Sequence, residues 1–195
     1  MRNYFQFLLV LLFFISCQKE TQNNIDISNI EANFKVFRFE QDFYTNKGQN
    51  LVELKENFPL LFPDETPDSI WIAKINNPDE QELFQETQKK YNSLLHIEEE
   101  LSKLFKHIKH YNPTFLAPDV ITILSNIDYT YRTIYTDNLL FISLDVYLGD
   151  DHPFYSDYPS YIRKNNTDER IVVDVASNII NSTISFSNNR SFLAK

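Results

Sequence analysis

Glycine is nearly missing from this chain of 195 residues: there are two, Gly48 and Gly149, far apart and never in a Gly-x-Gly. Dinucleotide fingerprints, phosphate-binding loops and the Gly-x-Ser-x-Gly nucleophile elbow all need several glycines close together, for positive φ and close ligand approach. Those enzyme classes are excluded. Cysteine is rarer still. With Cys17 alone there can be no intramolecular disulfide, Cys-rich zinc site or iron–sulfur cluster. Positive charge is also scarce, with 18 Lys and Arg against 27 Asp and Glu and a net charge of -9. No basic run offsets that balance, so nucleic acid is rejected as a partner. Nor is there an apolar run long enough to span a bilayer, which takes roughly 20 residues.

Apolar and aromatic residues are plentiful: 43% of the chain is hydrophobic, with 17 Phe and 11 Tyr. A composition this rich in apolar surface predicts a folded core rather than a disordered chain. The length suits one domain and is short for two.

Residues 1–17 read MRNYFQFLLVLLFFISC. Arg2 and the amino terminus precede an apolar stretch from Tyr4 to Ile15, interrupted only by Gln6, before polar QKETQNN begins. This is the layout of an export signal core. Phe14-Ile-Ser16-Cys17 is similar to a lipobox, with Phe14 where Leu is usual and the small Ser16 suiting the peptidase. Residues 1–16 are therefore read as a lipoprotein signal peptide and Cys17 as the acylated first residue of the mature chain. Two or more acyl chains anchor stably, at roughly 0.8 kcal/mol per buried CH₂. From Cys17 to Ile30 the sequence is polar and Asn-rich, which predicts a flexible tether.

Residues 31–184 are read as an α+β domain, with helices around a small sheet, and 185–195 as an irregular tail. Phe34–Phe39 reads as a strand running into a turn, and Leu51, Leu54 and Phe58 as a helix stopped by Pro59. Ser69–Ala73 reads as a short extended run. Asn77-Pro-Asp-Glu80 starts a helix with Asn as N-cap, Pro at N1 and Glu at N3, a capping-box arrangement. Apolar spacing continues to Ile108, as one helix or as two broken near Asn92. Val120–Leu124 and Leu139–Leu144 read as strands, with Tyr129–Tyr135 a candidate third between them. Pro159–Ile162 reads as a helical turn and Asp168 to about Ile184 as a final helix.

Metal chemistry has two candidate places. His107 and His110 lie three apart on a helix, but a zincin motif sets its histidines four apart with a glutamate after the first. Lys109 between them repels a cation, and the plain alternative is surface imidazoles at a helix end. Asp150-Asp151-His152 follows Leu148-Gly149 at a strand end, where carboxylates and imidazole could hold a cation. The alternative there is a turn with solvated acids, Gly149 supplying the permissive φ. No catalytic residue and no cofactor is assigned.

Several longer motifs resemble the gliding motility lipoprotein GldB family of Bacteroidota. They are Lys35-Val-Phe-Arg-Phe39 through Phe43-Tyr44, Phe58-Pro-Leu-Leu-Phe-Pro63, Pro67–Ile72, Leu104–Lys109, Pro118–Thr122 and, most specifically, Leu144-Asp-Val-Tyr-Leu-Gly-Asp-Asp-His152-Pro-Phe-Tyr155. Pro159–Ile162 and Ile171–Ala176 continue the pattern, so the resemblance covers residues 25–180 in order. It implies a cell-envelope component of surface gliding and its associated secretion apparatus. It further implies a link to predicted zinc proteases with His-Glu-x-x-His, and so a degenerate zincin-like domain. In the corresponding helix this chain reads Val173-Asp-Val-Ala-Ser-Asn178, without either histidine or the glutamate. Family members continue with further helices, so the resemblance also implies a domain lacking its C-terminal part.

The favoured reading is a lipid-anchored envelope protein working through contacts with other motility proteins, on the inner or the outer membrane. A metal-dependent hydrolase using His107, His110 and Asp150–His152 and a ligand-binding envelope lipoprotein are the alternatives.

Overall fold

The structure, a computed structural model, describes residues 25–136 and 138–183. Cys17, the signal and the 185–195 tail therefore lie outside the described residues. The architecture is mixed α and β, with seven α-helices and a four-stranded sheet among the described residues. Strand β1 (Val36–Phe37) leads into α1 (Phe39–Thr45), followed by α2 (Leu51–Asn57) and α3 (Asp68–Ile75). Next come α4 (Pro78–Lys90) and α5 (Leu95–Tyr111), then β2 (Asp119–Ile123), β3 (Thr133–Thr136) and β4 (Leu139–Ser143). Helices α6 (Ser160–Arg163) and α7 (Glu169–Thr183) complete the order.

The strands lie in the order β1-β2-β4-β3; the first three are parallel and β3 closes the far edge antiparallel to β4. Side chains alternate across the pleat. Val120, Leu140 and Ile142 therefore face one core with Leu101 and Phe105 of α5 and Ile171, Val175 and Ile179 of α7. Ile121 and Phe141 face a second core with Phe39, Phe43, Leu51, Leu54, Phe62 and Ile75. A parallel sheet covered on both faces needs apolar strands, and VITI and LLFIS supply them.

Two early expectations are corrected. Phe34–Phe39 forms a strand over Val36–Phe37 only, because Phe39, Phe43 and Tyr44 recur at helical spacing and bury one face of α1. Ser69–Ala73 is helical, not extended. Ile70 and Ile72 are exposed, while Trp71 and Ile75, four apart, turn toward the core. The long helical stretch is two helices, parted where Tyr91 leaves the helix and donates its hydroxyl to the Tyr147 carbonyl at 2.6 Å.

Asn77 caps α4 as its sequence implied, accepting the N–H groups of Asp79 and Glu80 at 2.8 and 3.2 Å. The capping box itself is only half made. Asn77 donates its own N–H to the Lys74 carbonyl, and Glu80 turns away to Lys74, Tyr44 and Asn126. The last helix buries Ile171, Val175 and Ile179 against the sheet and α5, while Val173 and Ile180 stay exposed.

Phe105 is fully buried, edge-on to Phe34 with ring centroids 5.1 Å apart. Phe105→Ala is expected to lower unfolding free energy by about 3–5 kcal/mol in urea titration. Asn77→Ala removes only a cap and is expected to cost about 1 kcal/mol in the same assay.

Candidate functional site at the carboxyl end of the sheet

Parallel strands gather their loops at the carboxyl end of the sheet, the usual place for a site. Here the loop after β2 and the turn after β4 meet there. Asp145, in the turn after β4, is fully buried. Its carboxylate accepts the Ser125 N–H at 3.0 and 3.1 Å and the Ile127 N–H at 2.6 Å. Asp128 closes the turn by donating its N–H to the Ser125 hydroxyl at 3.1 Å. Asn126 and Ile127 both take left-handed backbone, at φ 59 and 60. That conformation is costly for a β-branched residue such as Ile127, and it persists because Asp145 holds the loop from below. Tyr155 braces the same turn, donating to the Asp145 carbonyl at 2.5 Å and accepting the Leu148 N–H at 2.9 Å.

Burial pushes the Asp145 carboxyl up to about 6, the N–H groups of Ile127 and Ser125 opposing it without prevailing. Glu80 shows the reverse outcome. Burial raises it, but hydrogen bonds from Lys74, Tyr44 and Asn126 outweigh this and hold the carboxyl below its ordinary value. Through Asn126, donating at 2.8 Å, Glu80 ties the start of α4 to the strained loop. A cleft of about 440 Å³ lies between them, lined by Asn77, Asp79, Glu80, Glu82, Leu83, Asn126, Ile127 and Phe154.

On the other side of this end, α7 meets the start of β3. Asp174 accepts the Tyr147 hydroxyl at 2.9 Å and the Arg170 Nε–H at 2.8 Å. Asn178 donates to the Thr133 carbonyl at 2.5 Å and to its hydroxyl at 2.9 Å, while Ser177 donates to the Val173 carbonyl. The stretch Val173–Asn178 thus holds its helix to the sheet. Burial, with Asp174 next, raises the Tyr147 phenol, so it donates at any physiological pH.

The metal candidates named from sequence are dispersed. His107 and His110 are exposed on α5, away from the Ile97, Leu101 and Phe105 side that enters the core. Asp150 and Asp151 are exposed in the turn where Gly149 takes φ 123. His152 is drawn inward as a cap: its Nδ1 accepts the Phe154 N–H at 3.3 Å, and Nε2 lies 3.7 Å from Glu86. Among the described residues no group of three or more His, Cys, Asp or Glu is placed to hold a metal ion. From the sequence Glu80 reads only as a capping residue and Asp145 only as part of the Leu144–Tyr155 motif, although a charge between apolar Leu144 and Val146 is itself a signal; Arg132 and Asn166 are not singled out.

An α+β domain with its polar groups gathered at one end of a parallel sheet defines a scaffold and not yet a role. The family model for gliding motility protein GldB matches residues 20–195, and the chain belongs to that family. The match extends past both ends of the 25–180 span recognised by motif. No curated protein and no solved structure matches the chain.

The Asp145 carboxyl titrates at about 6 in the folded state against 3.8 unfolded, so between these values the folded state holds more proton. Stability is therefore expected to fall as pH rises through that window, by up to about 3 kcal/mol. The contribution of Glu80, held low, is already complete above its unfolded value of 4.5, so urea unfolding above that pH isolates the raised acids. Asp42, also raised by burial and by Glu53, keeps its own slope in either protein. Asp145→Asn should remove the Asp145 slope. It should also cost about 1–3 kcal/mol throughout, because an amide NH₂ would face the N–H groups of Ser125 and Ile127.

Proposed function

We propose that the protein is a lipid-anchored cell-envelope component of the gliding machinery that works by protein contacts rather than by catalysis. Membership of the GldB family carries this reading. It is supported by the position of the only cysteine at the end of a short apolar run, and no helix among the described residues is long and apolar enough to cross a membrane. Acylated Cys17 would hold the protein on the membrane, outside the cytoplasm, with residues 17–30 as tether. Its partners are other envelope proteins of motility and the associated secretion, which would meet an acidic surface carrying exposed Val52, Leu60, Ile70 and Leu95.

Helix α7 speaks against peptide hydrolysis. A zinc peptidase needs two imidazoles, a third ligand and a general base around an open position. Asp174 and Asn178 instead bond to Tyr147, Arg170 and Thr133, and a single carboxylate there replaces none of those groups. On this reading the sheet with α7 is a zincin-like remnant whose chemistry has been replaced by structural bonds.

Cys17→Ala is expected to leave an uncut precursor or to release the protein from the membrane fraction. A variant still found with membranes at mature size would refute the anchor. The purified protein should hold far less than one zinc per chain. Stoichiometric zinc together with chelator-sensitive cleavage of a peptide library would overturn the non-catalytic reading.

A further inference from the structure

Among the described residues, three clefts carry carboxylates as their only ionisable lining: Asp79, Glu80 and Glu82 in one, Asp42 in another, Glu98 and Glu99 in a third. A fourth, of about 270 Å³ between the start of β3 and α7, is different. Two guanidinium groups, Arg132 and Arg170, line it against the single carboxylate of Asp174. A surplus positive charge in a protein of net charge -9 marks this cleft out.

Arg132 is fixed by donating Nη1 to the Asn165 carbonyl at 2.8 Å and Nη2 to Asn166 Oδ1 at 2.7 Å, and its guanidinium lies 5.7 Å from the Tyr147 ring centroid. That engages two of its five N–H groups. Arg170 donates only Nε, to Asp174 Oδ1, while the other oxygen of Asp174 is taken by Tyr147. Two guanidinium groups with unengaged N–H donors thus line an opening of about 270 Å³ beside one carboxylate whose two oxygens are already taken. A guanidinium fork meets oxyanions with two parallel bonds. Phosphate answers the surplus better than carboxylate, since it offers more acceptor oxygens.

We propose that this cleft binds a phosphate group between Arg132 and Arg170, independently of the role in motility. The group could belong to a soluble phosphate ester or to a lipid headgroup, and the chemistry at the guanidiniums is the same.

The test is amide chemical-shift mapping of the full chain in neutral detergent micelles, titrated with inorganic phosphate and, separately, with phosphatidate added to the micelles. Saturating shifts centred on Thr130–Thr133 and Arg170–Asp174 are expected. Arg170→Gln should weaken binding about tenfold, and because the Arg170 side chain is 42% exposed the fold survives its replacement. Arg132→Lys, which keeps the charge but loses the fork, should weaken it too. Lys103→Gln, whose lysine pairs with Glu100 on α5, should bind as the parent does. A response to free phosphate assigns a soluble ligand; an Arg170-dependent response to phosphatidate alone assigns a headgroup. No saturating shift with either probe, or equal weakening in Arg170→Gln and Lys103→Gln, would overturn the site.

Discussion

The carboxylate of Asp145 is the interaction on which the polar end of this domain depends. It is buried at the turn after one parallel strand and takes its hydrogen bonds from the loop after the neighbouring strand. A loop with two successive left-handed residues, one of them isoleucine, does not hold its shape from local preference. Asp145 supplies the missing constraint from inside, and Glu80 supplies it from outside through Asn126. The cost is an ionised group sealed from water, and the raised titration of Asp145 is the measure of it. Around that point the aromatic hydroxyls are arranged as braces: Tyr91 to Tyr147, Tyr147 to Asp174 and Tyr155 to the Asp145 backbone.

The rest of the domain is organised by burial. Two aromatic-rich layers sandwich the sheet, one built by α5 and α7, the other by α1, α2 and α3. Phe39 stacks near Phe43 and meets Phe58 and Phe62 edge-on, so few residues fill a large volume. A second buried carboxylate, Glu40, ties α1 to the sheet. It accepts from Thr122 of β2 and pairs with Arg38 at 2.7 Å. Each buried charge in this fold is thus attached to the end or side of β2, which is covered on both faces.

Periodicity revealed most of the elements, because spacing over long apolar stretches reports burial directly. The last helix, the Asn77 cap and the central strands were legible for that reason, as was the family from its ordered motifs. Ser69–Ala73 misled because Ile70 and Ile72 of its apolar run face solvent, so apolar character there does not report burial. The polar site was mostly illegible. Arg132 and Asn166, thirty-four residues apart, carry no local pattern, and only the fold brings them together. Histidines drew attention because their chemistry is versatile, yet His107 and His110 are surface side chains and His152 caps a short turn.

Strand β3 stands at the edge of the sheet, where exposed peptide groups invite another chain to add a strand. The Arg132 carbonyl accepts the Ser143 N–H, so the next carbonyl, Thr133, points outward from the sheet. Asn178 occupies that carbonyl, so its amide stands in for the backbone of a neighbouring strand. A covered edge carbonyl is one fewer group on which a strand of another chain could pair. One asparagine side chain thus caps the first outward carbonyl of this edge strand.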